Sequence, residues 1–408
     1  MTRRHFLSTL GRSVAVGALA LPTVLETLAT AQDAGPPRNA NGSTVMRDGI
    51  PVSGTMPPQL QAIDDVIVGQ MRRYGIPASV VAVSKDGVTV ARRGYGYMDK
   101  QATKPTIPNA IMRLASLDKT PTATAIRLIC EQGWELPRTN KPVTLELPVF
   151  PAMAESWGLE PPPGVTPDPR ISRVTLTHIL EHKSGLRGTD GGSEVVEALN
   201  LDRVPTQWDD ARWIFGQQLE RDPGAEFGYS NTGYGILKYF IEWLTGSYLG
   251  YLKSDVYGPA GTDELTISPA RPRDRDKREP WYRSKVMGKS TLPEDNGEQV
   301  PLTDGGCNID AMMLLATSAE AMCKYLSHWY PSTAKLLNDP QTGRLAAWND
   351  NGGYGGGGAM TGSMAVAIQR RHAGSAVAYL SNSGDETGTG GKYDPMSGIT
   401  KVLESVGW

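Results

Sequence analysis

Three short stretches hold residues whose types and spacing could do chemistry. The first is "RLASLDKTPTATAIRLICEQG", where Ser116-Leu-Asp-Lys119 forms an S-x-x-K. On a helix, a spacing of three puts both side chains on one face, within reach of each other. A serine at a helix N-terminus also feels the positive end of the macrodipole, which stabilises an alkoxide as it forms. A partly desolvated lysine beside it can lose its proton near neutral pH and serve as a base. Asp118 points away from that face and reads as a first-turn helix residue. The second stretch, "PGAEFGYSNTGYG", holds Tyr229-Ser230-Asn231, the only Y-x-N in the chain. A tyrosine hydroxyl crowded by a cationic lysine becomes more acidic and can relay a proton, first as base and then as acid. Asn231 offers an amide able to bond both lysine and substrate.

The third stretch, "RVTLTHILEHKSGLRG", contains His178-Ile-Leu-Glu181-His182. Alone it matches the H-x-x-E-H of the inverted-motif zinc peptidases. A zinc site needs a further ligand, and the other histidines, His5, His328 and His372, give no clear partner. The expectation is therefore a structural helix with His182 as a cap or loop anchor, and no metal or other cofactor. A second S-x-x-K, Ser332-Thr-Ala-Lys335, has no Y-x-N after it. Order along the chain thus singles out Ser116.

These residues must be positioned by a chain of 408 residues, 39% hydrophobic and 21% charged. That length builds one large domain or two closely packed ones. Lys plus Arg total 41 against 43 Asp plus Glu, a net charge of -2, which argues against a nucleic-acid or anionic-membrane partner. Three cysteines, Cys130, Cys307 and Cys323, with no C-x-x-C, argue against a disulfide framework. Residues 1–31 resemble a twin-arginine export signal. Arg3 and Arg4 precede an apolar run, and Ala29-Thr30-Ala31 supplies small residues for cleavage. A periplasmic or secreted protein is expected, with no stable membrane insertion once the signal is removed.

Residues 32–58, rich in Pro, Gly, Asn and Ser, read as a linker. "LQAIDDVIVGQMRRYGIP" has helical periodicity, and Asp86-Gly87 between β-branched runs signals a hairpin. Helices are expected from Thr120 to Gln132, in "TGYGILKYFIEWLTG" up to Gly246, and from Ser397 to Val406. Residues 265–301 read as a polar excursion. Strands return in "GSMAVAIQRRHAGSAVAYLSN". The pattern predicts an α/β (α+β) fold: an antiparallel sheet from the N- and C-terminal segments (59–115 and 305–408) flanked by helices, with a mainly helical lobe (116–304) inserted.

The ordered S-x-x-K, Y-x-N and glycine-rich strand, with "VTLTHILEHKSGL" between, resemble the serine β-lactamase-like hydrolases over roughly residues 60 to 400. The match is to the branch of class C β-lactamases, esterases and D,D-peptidases. The resemblance implies Ser116 as nucleophile, Lys119 and Tyr229 as proton carriers and Asn231 as the orienting amide. It sets Tyr354-Gly355-Gly356, in "GGYGGGGAM", where the family usually has Lys-Thr-Gly or His-x-Gly. It also implies an oxyanion hole from the N–H groups of Ser116 and Gly357. A tyrosine at 354 brings no charge for a substrate carboxylate. An exported acyl-enzyme hydrolase of esters or uncharged amides is therefore the expectation. Two other readings stay open here: a β-lactamase or D,D-carboxypeptidase-like enzyme, and a silent scaffold that binds acyl or cell-wall ligands. The altered third motif and Pro121, inside the nucleophile helix, favour the scaffold.

Overall fold

The computed structural model describes residues 44–188, 192–290, 292–304, 314–329, 353–370, 373–384 and 393–408. Cys307, His372 and the second S-x-x-K at 332–335 lie outside these, as do residues 1–31, read above as an export signal. The strands, in chain order, are β1 (Val45–Arg47), β2 (Ile50–Thr55), β3 (Ala78–Lys85), β4 (Val88–Gly96), β5 (Ile111–Arg113) and β6 (Leu265–Ile267). Then follow β7 (Met287–Lys289), β8 (Gln299–Pro301), β9 (Leu315–Ser318), β10 (Gly353–Met360), β11 (Ser363–Arg370) and β12 (Ser375–Ser381). The helices that matter here are α1 (Ala62–Tyr74), α2 (Lys119–Glu131), α3 (Leu176–Leu180), α4 (Gln207–Phe215), α5 (Asn231–Thr245), α6 (Ala319–Trp329) and α7 (Pro395–Ser405).

The sheet starts from the Asp86-Gly87 hairpin. Both turn residues take positive φ, 49° and 81°, the backbone a tight two-residue turn requires. Around it the order is β1-β2-β4-β3-β12-β11-β10, every neighbouring pair antiparallel. The beginning and end of the chain thus build one sheet, with β12 beside β3 and β10 at its free edge. Alternation along each strand divides the core between the two faces. Val81, Val83, Val377 and Tyr379 pack with Ile63, Ile67 and Met71 of α1 and Ile399 and Leu403 of α7. Val80, Ala82, Ala376 and Ala378 face the opposite way, in a cluster with Met322, Cys323 and Leu326 of α6 and the apolar sides of α2 and α5. The small alanines there let α6 lie close enough for the Cys323 thiol to reach Ala82 O at 3.3 Å.

Two sequence expectations are corrected. The linker at 32–58 does not extend through its second half, because β1 and β2 pair with each other and β2 pairs with β4. The polarity of that segment hid short strands near a sheet edge. The stretch at 265–301 is also more than an excursion. β6 joins β9 and β5 in a three-stranded sheet, and Tyr282 is buried between two guanidinium groups, Arg113 at 4.1 Å and Arg275 at 5.1 Å from its ring centroid. The Arg113 Nε donates to Ser268 Oγ at 2.7 Å, and Tyr282 Oη donates to Glu279 Oε1 at 2.7 Å. Charged residues mark this segment as polar in sequence, yet here they satisfy one another inside.

One buried carboxyl sets a pH dependence. Asp210 of α4 accepts a hydrogen bond from Tyr239 Oη at 2.6 Å. Burial pushes its pKa up to about 6, with the neighbouring Asp209 charge adding to the rise. A folded pKa above the unfolded value means the folded state holds the extra proton, so stability falls as pH rises from about 4 to about 6. The penalty is complete above that window. Asp210→Asn should raise Tm by several degrees at pH 8, about 2–3 kcal/mol, and change it little at pH 4. Thermal denaturation at both pH values checks this, and an unchanged Tm at pH 8 would contradict it.

Candidate active site

Ser116 does not sit inside the helix. It lies on a 3-10 turn, Ala115–Asp118, that runs directly into α2. Three residues per turn bring positions i and i+3 into eclipse, so Lys119 falls above Ser116 more closely than on an α-helix. The turn is entered through Ala115 at φ 48°, a left-handed conformation costly for a residue with a Cβ. It bends the chain sharply after β5, leaving Ala115 and Leu117 buried and Ser116 partly exposed. Pro121 falls in the first turn of α2, where a backbone N–H would lack a helical partner anyway. It therefore breaks nothing, and the objection it raised in the sequence is removed.

The Y-x-N segment reaches the site through its middle residue. Ser230 is the N-cap of α5, and its Oγ accepts from Gly233 N at 3.1 Å. With Ser230 turned to the cap, Tyr229 and Asn231 flank it on the side of Ser116. Tyr229 Oη lies 2.7 Å from Ser116 Oγ. Lys119 Nζ donates to Asn231 Oδ1 at 2.9 Å and to Ser116 Oγ at 3.3 Å. Lys119 is 4% exposed, and its ammonium lies 5.1 Å from the Tyr229 ring centroid and 5.6 Å from that of Tyr234. The four residues singled out in the sequence therefore meet at one point.

The H-x-x-E-H residues are spent on structure. His178 Nδ1 accepts from Thr175 N at 3.3 Å while Thr175 Oγ1 accepts from His178 N, a reciprocal cap on α3. Glu181 pairs with Lys183 at 2.9 Å. His182, at φ 56°, anchors the loop of the Y-x-N motif. Its Nδ1 accepts from Ser230 N at 3.2 Å, and its carbonyl accepts from Gly228 N at 2.7 Å. Its ring packs 4.5 Å from that of Tyr229. Burial, helped by the Lys119 charge, pushes its pKa down to about 4, so it is neutral at neutral pH. Among the described residues, no group of three or more His, Cys, Asp and Glu side chains is placed to hold a metal ion.

The glycine run forms β10, the edge strand, which lies against the Ser116 turn. Of Tyr354 and Gly355 only the backbone is described, with Tyr354 opposite Gln369; the expectation for the Tyr354 side chain lies outside the described residues. Gly356 faces α2, where an added Cβ would come 3.0 Å from Leu117 Cδ1 and 3.3 Å from Thr120 Oγ1. Gly358 is tighter. A Cβ there would stand 2.5 Å from Ser116 N and 2.6 Å from Leu117 N, and would collide with Leu114 O. Gly357 points the other way, with nothing nearer than 3.9 Å to its Cβ position. The sequence reading missed Gly358, although the alternation of a strand through consecutive glycines could have paired it with Gly356. It also missed Ser230, although a serine immediately before a helical pattern is an N-cap signal.

The family model described as Beta-lactamase matches residues 63–402. The chain belongs to the beta-lactamase family, a family of serine hydrolases. It is 24% identical over 312 residues to "Unguisins hydrolase ungD'" of Aspergillus campestris, covering 72% of this chain and 55% of that protein. It is 27% identical over 206 residues to "Putative penicillin-binding protein PbpX" of Bacillus subtilis, covering 50% of this chain and 45% of the relative. The chain thus spans about half the length of these curated relatives. Among solved structures it resembles the D-amino acid amidase of Ochrobactrum anthropi SV3 (TM-score 0.60, 19% identity, 86% of this chain and 99% of that one). It also resembles the octameric penicillin-binding protein homologue of Pyrococcus abyssi (TM-score 0.57, 21% identity, 85% and 77%). At these identities the structural likeness establishes the β-lactamase/transpeptidase-like fold.

The glycine geometry makes a paired prediction. Gly358→Ala should push the Ser116 turn from its place and lower the rate of acylation by about 10²-fold or more. Gly357→Ala keeps its backbone N–H and its Cβ makes only ordinary contacts at 3.9 Å, so it should stay within about threefold. Labelling rates with a fluorophosphonate, on variants of matched circular dichroism, check the contrast. Equal rates in the two variants would contradict it.

Proposed function

We propose that this chain is exported and cleaves esters or uncharged amides through an acyl-enzyme on Ser116. The observation that carries the reading is the convergence of Tyr229 Oη and a buried Lys119 Nζ on Ser116 Oγ, at 2.7 and 3.3 Å. In this mechanism Ser116 Oγ attacks the substrate carbonyl carbon and gives its proton to the Tyr229–Lys119 pair. Asn231, bonded to Lys119 Nζ, fixes the direction of the amine. Negative charge builds on the carbonyl oxygen, where the N–H groups of Ser116 and Gly357 receive it. The same pair returns the proton to the leaving alkoxide or amine as its bond to the acyl carbon breaks. Water then attacks the acyl-enzyme by the reverse proton path, giving the acid and free Ser116.

The preference for uncharged substrates rests on the tyrosine at 354 in place of the family's lysine or histidine. A neutral phenol brings no charge to pair with the carboxylate of a β-lactam or peptidoglycan stem. The structural likeness to a D-amino acid amidase favours amides as well as esters. The resemblance to a putative penicillin-binding protein supports the second reading, turnover of β-lactams or D,D-peptides. Convergence of the four side chains favours an enzyme over the silent scaffold. Export rests on Arg3 and Arg4 ahead of the apolar run, and N-terminal sequencing of the protein outside the cytoplasm reads the cleavage. In a panel of p-nitrophenyl esters, amino-acid amides and nitrocefin, kcat/KM for the best ester or amide should exceed that for nitrocefin by at least about tenfold. Faster turnover of nitrocefin would give the second reading precedence.

A further inference from the structure

The apolar run of α5 contains one residue its burial does not explain. Lys238 lies two turns beyond Asn231 on the same helix, and seven residues bring a side chain back to nearly the same face. Its Nζ is 2.6 Å from Asp118 Oδ2, and each side chain is 4% exposed. Asp118 is the last residue of the nucleophile turn, immediately before Lys119. The start of α2 is therefore held to α5 at two points, by Lys119 to Asn231 and by Asp118 to Lys238.

A buried ion pair is a costly way to hold two helices together, since apolar residues of similar volume often do as well or better. What it adds here is charge beside a reacting amine. Burial pushes the Lys238 ammonium toward neutrality, the Asp118 carboxylate opposes this, and the Lys119 charge works against Lys238 while the Tyr229 phenol works for it. Two tyrosines beside the pair stay neutral at working pH. Tyr248, whose Oη lies 2.8 Å from Thr122 Oγ1, and Tyr257 are both pushed up by burial and by the charge of Asp118. His182, within reach of the Lys119 charge, is pushed down to about 4 by burial, and Tyr234 adds a ring face to Lys119.

We propose that Lys238 is a positioning residue for the Ser116 chemistry: it pins the second turn of α5 to the nucleophile turn and neutralises Asp118, so that Lys119 faces a paired carboxylate. A bare Asp118 carboxylate would hold the proton on Lys119, and a protonated amine cannot take the proton of Ser116. The inference rests on the reading of Ser116 and Lys119 as the reacting pair.

The test is the pH dependence of Ser116 labelling by a fluorophosphonate, read by intact mass on full-length variants with Tm measured alongside. In Lys238→Met the unpaired carboxylate should move the acidic limb of labelling to higher pH, by about one unit. In Asp118→Asn the unpaired ammonium should move it to lower pH. In the double variant, where both charges leave together, the limb should return to the wild-type position with a lower plateau. Opposite shifts that cancel are the signature of charge acting on Lys119. If Lys238→Met does not fold, Asp118→Asn and the double variant carry the comparison. Lower Tm and slower labelling with the limb unmoved in the folded single variants would overturn the proposal and leave the pair a structural brace. Absence of labelling in the wild type would instead defeat the reading of Ser116 itself.

Discussion

The site depends on one buried amine. Lys119 is almost wholly removed from water and held within reach of a serine hydroxyl, a phenol and a side-chain amide. The amide of Asn231 accepts a hydrogen bond from its nitrogen and fixes the direction of the amine. The strained Ala115, the cap at Ser230 and the anchor at His182 serve to keep that amine and its three neighbours in register. Three separate stretches of chain supply them, so no one element could be moved without loosening the others.

The sheet contributes its edge. Because β10 is the last strand of its sheet, part of its backbone is not taken up by a neighbouring strand, and its glycines allow it to lie directly on the nucleophile turn. A side chain at Gly358 would force that turn away. The free edge of a sheet is usually a hazard for aggregation; here it is covered by the Ser116 turn. Charge is handled with similar economy. The interior beneath α2 and α5 holds a matched pair, Asp118 and Lys238, and the nearest imidazole is kept neutral.

Much of this was legible in the chain. The S-x-x-K and Y-x-N spacings named the four side chains that meet, and Asp86-Gly87 located the hairpin from which the sheet grows. Those signals are local: a motif on one turn or a residue pair whose backbone angles are forced. What escaped reading depends on distant partners. The polar residues of 265–301 signalled solvent, but Arg113, far earlier in the chain at the end of β5, takes Tyr282 and Ser268 into the interior. The segment at 45–55 became strands because β4 offers it an edge. Asp118 reads in sequence only as a first-turn helix residue and Lys238 as one position of an apolar helix, and only packing of α5 on α2 makes them a buried pair. The 3-10 geometry at Ser116 likewise follows from the bend at Ala115, which no propensity for alanine would suggest.

The central claim is that the Lys119–Tyr229 pair activates Ser116. The most direct measurement is the intact mass of the protein after exposure to a fluorophosphonate, beside Ser116→Ala and Lys119→Ala. The account predicts one adduct per chain in the wild type, none in Ser116→Ala, and labelling slowed by at least about 10²-fold in Lys119→Ala. A folded wild type that takes up no label, or a Lys119→Ala variant that labels as fast as the wild type, would contradict it.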